Sequence, residues 1–142
     1  LKGFLLDTNV LRIARTGTPN PTVKTWLKSN PAESLYASIL TLAELRRGIE
    51  LLSSGRRRAD LELWLNEALP ESLDPERVLP VTKTIGYRWA VFSARMQLAG
   101  KQIDVIDGLL AATAIEHNLT LATRNVRDFE GAGAIIFNPW NA

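Results

Sequence analysis

The stretch VIDGLLAATAIEHNLTLATRNVRDF, residues 105–129, decides the fold of this chain. Residues 105–116 are predicted as a helix, and the run GLLAATAI inside it is apolar on nearly every side. A helix apolar all round is buried rather than laid on a surface. It gives way to a short apolar run, residues 119–122, which reads as a strand, and then to a polar segment carrying Asn125 and Asp128. Asp107 sits in the first turn of the buried helix, so it is at least partly desolvated and needs a partner. Gly108 beside it lets another backbone or a ligand come close.

Working outward, the same alternation recurs. Residues 3–6 read as a buried strand ending at Asp7, and residues 10–15 as a short helix or turn. Residues 17–21 are a loop, with Asn20 a helix N-cap and Pro21 at the first helical position of a helix over 22–29. That helix carries Val23, Trp26 and Leu27 on one face. A second strand is predicted over 35–38. A helix over 41–52 follows, with Leu42, Leu45, Ile49 and Leu52 at helical spacing. The segment SSGRRR reads as a turn, with Arg56, Arg57 and Arg58 solvated, and a nucleic-acid contact as the less favoured reading. Residues 59–69 return to complete a helical hairpin, and residues 70–75 form a loop. A short strand or link over 78–81 precedes a long helix over 82–98 bearing Ile85, Trp89, Phe92 and Met96. A last strand is expected over 135–137. Strands alternating with helices predict an α/β fold whose parallel sheet is covered on both faces. There is no internal repeat and no dividing linker, so residues 1–142 are expected to form one domain.

Composition narrows the function classes. The chain has 142 residues, 46% hydrophobic and 23% charged, an ordinary globular balance. It has no cysteine, which excludes disulfides, thiolate zinc sites and cysteine nucleophiles, and fits a reducing cytoplasm. Its apolar runs fall short of the roughly 20 residues that span a bilayer, so no membrane association is expected, and no signal-peptide pattern opens the chain. Net charge is +2, from 17 basic and 15 acidic residues, which permits nucleic-acid binding without arguing for it. The lone histidine, His117, ends the helix over 105–116, where it interacts well with the helix C-terminus. One histidine cannot supply the acid and base pair of a metal-free ribonuclease.

Asp7, Glu44, Asp107 and Asp128 each adjoin or interrupt an apolar run. Ligands collect at the C-terminal ends of strands in open parallel sheets. Asp7 ends one strand, Asp128 lies just past another, and Glu44 and Asp107 occupy first turns of helices. If the four converge, like charges crowd a partly dry pocket and raise carboxylate pKa values unless a cation neutralises them. Oxygen-only ligands suit Mg²⁺ or Mn²⁺. Each acid also has a local reading. Asp7 opens an Asp-Thr-Asn turn. Thr41 and Glu44 fit a capping box, with Thr41 as N-cap. Asp104 can cap the helix that holds Asp107, and Asn125 and Asp128 can be turn residues. The joint pattern is more specific than any member.

The segments FLLDTNVL, TLAELRRGI, VIDGLLAATAIEHNLTLATRNVRDF and the closing FNPW together resemble PIN-domain proteins, most closely the VapC/FitB branch of toxins from bacterial toxin–antitoxin pairs. The resemblance spans essentially the whole chain. It implies a three-layer α/β/α sandwich around a mostly parallel sheet, and metal-dependent RNA cleavage leaving 5′-phosphate and 3′-hydroxyl ends. It makes Asp7, Glu44 and Asp107 the core acidic triad and Asp128 the fourth acid, with Thr123 and Asn125 lining the site and Asn9 orienting Asp7 or a water. It implies Mg²⁺ or Mn²⁺ as cofactor and a homodimer, with assembly into larger complexes. It also implies a VapB-like antitoxin lying across the site and making any DNA contact. Asp104 departs from the pattern, since relatives usually carry a small residue or proline there. Arg12, Arg46, Arg124 and Arg127 stand near the acidic motifs and are candidates for holding RNA phosphates. Two enzyme rivals fit less well: a haloacid-dehalogenase-like phosphatase has a second Asp where this chain has Asn9, and a response-regulator receiver needs paired acids and a late lysine. A catalytically silent PIN module that binds RNA or a partner is the alternative from another class.

Overall fold

In the computed structural model of the chain, residues 3–15 and 17–142 are described. Five strands form one sheet: β1 (Phe4–Leu6), β2 (Leu35–Ser38), β3 (Val78–Leu79), β4 (Thr120–Ala122) and β5 (Ile136–Phe137). Their order is β3-β2-β1-β4-β5, and every pairing is parallel. The helices are α1 (Thr8–Ile13), α2 (Pro21–Ser29), α3 (Ile39–Glu50), α4 (Arg56–Leu63), α5 (Leu69–Ser72), α6 (Lys83–Leu98) and α7 (Val105–Glu116). Among the described residues no helix is long and apolar enough to cross a membrane.

Strand periodicity builds the layers. Successive side chains of a strand point to opposite faces. Phe4 and Leu6 of β1 therefore join Val10, Val23, Trp26, Leu45 and Ile49 under α1, α2 and α3, and Leu65 and Leu69 complete that core. Leu5 points the other way, onto Leu110, Ala111 and Ala114 of α7, with Leu121 and Phe129. The result is the expected α/β/α sandwich. On the first face Trp26 meets Phe4 edge-to-face and Phe137 at a tilt, with ring centroids 4.9 and 5.4 Å away. The buried centre belongs to α7: Leu110, Ala111, Ala112, Thr113 and Ala114 are all fully inaccessible. Thr113 satisfies its hydroxyl within the helix, donating to the Leu109 carbonyl at 2.7 Å.

Strand order fixes where a ligand goes. β1 lies at the middle of the sheet, register-matched to Leu35 and Tyr36 on one side and to Thr120, Leu121 and Ala122 on the other. The chain winds from β1 to β2 in one direction, while β4 lies on the opposite side. The crevice beyond the C-terminal ends of β1 and β4 is a topological switch point, the preferred ligand position in open α/β sheets.

Most predicted elements appear within two residues of their expected bounds, and the differences have local causes. α1 starts at Thr8 because Asp7 caps it. α3 starts at Ile39 with Ser38 as its N-cap, the Ser38 hydroxyl accepting from Leu40 N at 3.0 Å. Thr41 is therefore not a cap, and the capping-box reading of Glu44 fails. α4 begins at Arg56, so the three arginines form its first turn rather than the turn before it. The predicted loop after residue 69 is instead helical to Ser72, despite Pro70. Proline removes an intrahelical donor and crowds the preceding turn. The chain absorbs it through a π-helical stretch, Trp64–Ala68, after which the Leu69 N–H reaches back to the Trp64 carbonyl.

Helices α6 and α7 meet at a glycine. A Cβ on Gly108 would lie 2.6 Å from Cδ1 of Trp89, so it is a side chain from α6, not a backbone or ligand, that uses the space. A Cβ on Gly48, inside α3, would meet nothing within 4 Å. Gly108→Ala is expected to destabilise by about 1–3 kcal/mol through overpacking, whereas Gly48→Ala stabilises by up to about 1 kcal/mol through helix propensity. Urea unfolding of both variants checks this, and a stabilised Gly108→Ala protein would show that the two helices are not locked together at this point.

Candidate active site

Asp7 stands where β1 ends and α1 begins, and its backbone N–H still belongs to the sheet, donating to Ala122 O at 3.0 Å. Its side chain is 6% exposed. Oδ1 accepts from Thr8 N at 2.8 Å, capping α1. Oδ2 accepts from the Thr123 hydroxyl at 2.8 Å and, at the long limit of 3.5 Å, from Asn9 Nδ2. The turn reading of Asp7 accounts for one carboxylate oxygen, which caps α1, while the other is held by residues at the ends of β1 and β4.

Thr123, the residue after β4, is fully buried and gathers this corner. Its Oγ1 donates to Asp7 and accepts from Asn125 N at 3.0 Å and Asn9 Nδ2 at 3.4 Å. Asn9 Oδ1 in turn accepts from Arg124 N at 3.2 Å, stitching the start of α1 to the segment after β4. Glu44, half-buried on α3, accepts from the Thr8 hydroxyl at 3.1 Å. Thr8 was not singled out in the sequence. Its only cue was a hydroxyl next to Asp7, and the distance of 36 residues to Glu44 hid the contact.

Asp107 lies in the first turn of α7, and Asp104 is the N-cap of that helix, accepting from Ile106 N at 3.2 Å. Asp128 lies on an exposed 3₁₀ turn, Val126–Phe129, after β4. Electrostatics show how these acids relate. The Asp107 carboxyl is raised to about 7, first by burial and then by the negative charges of Asp7, Asp104, Asp128 and Glu44. Asp7 is also raised by burial, although bonds from Thr123 and Thr8 oppose it, and Asp128 again pushes upward. Asp7, Glu44 and Asp128 therefore all act on Asp107, and Asp128 acts on Asp7 as well. Asp104 both caps its helix and adds charge. Among the described residues none of the five pairs with a basic side chain. Nor are any three gathered tightly enough, as they stand, to hold an ion.

The candidate arginines divide. Arg46 is engaged with Glu50 on its own helix. Arg127 is exposed on the 3₁₀ turn. Arg12 and Arg124 line a cavity beside Asn9, and the guanidinium of Arg124 lies 5.4 Å from the ring centre of Trp140. His117 caps the C-terminus of α7, as its position suggested.

Known proteins share this architecture. Residues 4–134 match the PIN domain family. The chain is 39% identical over 141 residues to the toxin FitB of Neisseria gonorrhoeae, covering 97% of this chain and 99% of that one. It is 38% identical over 138 residues to the VapC ribonuclease Y4jK of Sinorhizobium fredii, covering 96% and 97%. A solved structure of FitAB bound to an IR36 DNA fragment superposes with a TM-score of 0.87 at 35% identity, covering 96% of this chain and 95% of that chain. A five-stranded parallel sheet with an acidic crevice at its switch point, matched along nearly its whole length to such proteins, makes this chain a member of the PIN-domain family.

Proposed function

We propose that this protein is a divalent-metal-dependent endoribonuclease, the toxin of a toxin–antitoxin pair. The observation that carries the reading is Asp107: a partly desolvated carboxyl raised to about 7 among four other acids, with no basic partner among the described residues. A fold gains nothing in stability from such crowding, and perturbed carboxylates in a crevice mark functional sites. The donor set is all oxygen, which fits Mg²⁺ or Mn²⁺ and not a thiolate- or imidazole-bound metal. Similarity to a VapC ribonuclease supports RNA as the substrate.

In this reading Asp7, Glu44 and Asp107 would close on the cation and hold it, with Asp128 adding its charge. A bound divalent cation lowers the pKa of a water and offsets charge on the phosphate being attacked. The protein does the rest. Thr123 and the Thr8 N–H fix both oxygens of Asp7, so its orientation is set before substrate arrives. The Thr8 hydroxyl steadies Glu44. Asn9 ties the β1 end to the β4 end through Thr123 and Arg124 N, and Asn125 N holds the Thr123 hydroxyl in place. Water attacks phosphorus in line and the 3′-oxygen leaves, giving 5′-phosphate and 3′-hydroxyl ends.

The partners follow from the same charges. A VapB-like antitoxin that places a guanidinium among the acids would replace the cation's charge and silence the site. We assign DNA contact to that antitoxin, a homodimer to this chain, and the cytoplasm to both.

Purified, antitoxin-free protein is expected to cut total RNA into discrete 5′-phosphorylated fragments with Mg²⁺ or Mn²⁺, and not with EDTA. Asp7→Asn lowers the rate by about 100- to 1,000-fold, the scale of losing a preorganised electrostatic group. Folded, metal-loaded protein that leaves RNA intact would make the chain a silent binding module.

The crowded acids also predict a pH signature. Asp107 has a raised pKa in the folded state, so between about pH 4 and 7 the folded protein holds a proton that the unfolded chain has lost. Stability from this group is full below the unfolded pKa and is lost as pH rises towards 7. In EDTA, the stability advantage of Asp107→Asn over the parent should therefore grow from pH 4 to 7 and then level. Saturating Mn²⁺ should shrink it by stabilising only the parent. Thermal melts across pH test both, and parallel pH curves for the two proteins would contradict the crowding.

A further inference from the structure

A cavity of about 460 Å³ opens beside the acidic crevice, within the range of about 300–1,000 Å³ that small-ligand sites occupy. Arg12, Arg15, Arg57 and Arg124 line it, and none of the four is in an ion pair among the described residues. No carboxylate lines it among those residues. Its apolar wall includes buried Leu45 and Ile49, and the indoles of Trp64 and Trp140 complete it. Thr18, whose buried hydroxyl has no partner among the described residues, also contributes to the lining. The cavity is joined to the crevice by the bond from Arg124 N to Asn9 Oδ1, one residue from Thr123.

A lining of four arginines and no carboxylate selects an anion, most strongly beside Arg12 and Arg124. Aromatic faces beside guanidinium groups are what an unpaired base stacks on, and the phosphate of the same nucleotide supplies the charge. We infer that this cavity receives an unpaired nucleotide of the RNA next to the scissile phosphate, its phosphate held by Arg12, Arg15, Arg57 and Arg124 and its base against Trp64 and Trp140. An arginine-bearing antitoxin segment is a poorer occupant, since it would bring like charge to a site with no acid. The neighbouring groove along α4 shares Arg15 and Arg57 with this cavity but also has Asp60, Glu67 and Glu71 in its lining, whereas Arg12 and Arg124 line this cavity and not that groove. The inference rests on RNA being the substrate, and it assigns positioning and base preference to residues outside the acidic cluster.

The test uses the full chain carrying Asp7→Asn, with Mg²⁺ present, and fluorescently labelled single-stranded RNA read by anisotropy. Gly48 lines the cavity and a side chain there enters open space, so Gly48→Leu fills the cavity while leaving every arginine in place. It is expected to weaken RNA binding about 5- to 150-fold, the range for losing one stacked base. Arg57→Ala, at an exposed position, should lower the slope of log affinity against log salt by about 0.7, the value for one single-strand phosphate contact. Thermal melts confirm that both proteins fold. In the background with Asp7 intact, Gly48→Leu should also shift the cleavage pattern on total RNA. Unchanged affinity, salt slope and pattern in folded variants of a protein that does cleave RNA would overturn the inference, leave the ribonuclease assignment standing and give the cavity to a protein partner. Cavity-dependent RNA binding by a protein that never cleaves would support the subsite and overturn the ribonuclease assignment instead.

Discussion

The buried carboxylate of Asp7 is the constraint around which the rest is arranged. It closes β1, caps α1 and receives the hydroxyl of a residue 116 positions later. Burying an ionised group costs several kcal/mol unless hydrogen bonds compensate. Here the Thr8 N–H and the Thr123 hydroxyl supply that compensation in part, and burial still wins, leaving the pKa raised. The fold therefore holds an acid that it has oriented but not neutralised. That combination is what supports the proposal that a cation arrives from outside.

The parallel sheet makes this possible. β1 and β4 are paired in register, so the residues that follow them, Asp7 and Thr123, emerge side by side. α7 delivers Asp107 from the opposite layer because its apolar surface is buried on Leu5 and Leu121. Glu44 arrives from α3 on the other face, whose core positions Leu45 and Ile49 fix its rotation. Three layers of packing thus aim at one crevice. The close fit of Gly108 against Trp89 holds α7 at its depth.

Much of this was legible in the sequence, for identifiable reasons. Apolar periodicity located the strands and helices, and the buried helix 105–116 announced its own environment. The acids were legible because charge beside an apolar run is costly and needs an explanation. What was not legible depended on contacts between distant segments or on local chemistry with two outcomes. Ser38 and Thr41 are both good N-caps, and only the register of β2 decides between them. Pro70 looked like a helix end, but a π-helical stretch before it accommodated the ring. Thr8 gave no sign of reaching Glu44, because the bond depends on how α1 and α3 cross. Arg15, Arg57 and Trp140 lie far apart in sequence, and only packing brings them to one cavity.

That cavity changes how the modest net charge of +2 should be understood. The average conceals two opposed fields joined through one asparagine. On one side of Asn9 lie acids that repel a phosphate until a cation joins them. On the other lie arginines that attract it without help. An RNA strand across this boundary would be held by its flanking phosphate and base before the reactive phosphate meets the acids. Binding and chemistry would then draw on different charges, and a change at one would leave the other's field in place. Separating the two also limits self-quenching. If the unpaired arginines lay within reach of Asp107, they would neutralise the carboxylates and leave no place for the cation proposed above. Keeping them beyond Asn9 leaves the crevice acidic and the neighbouring cavity basic, a separation that the proposed RNA substrate would use and that a net charge near zero conceals.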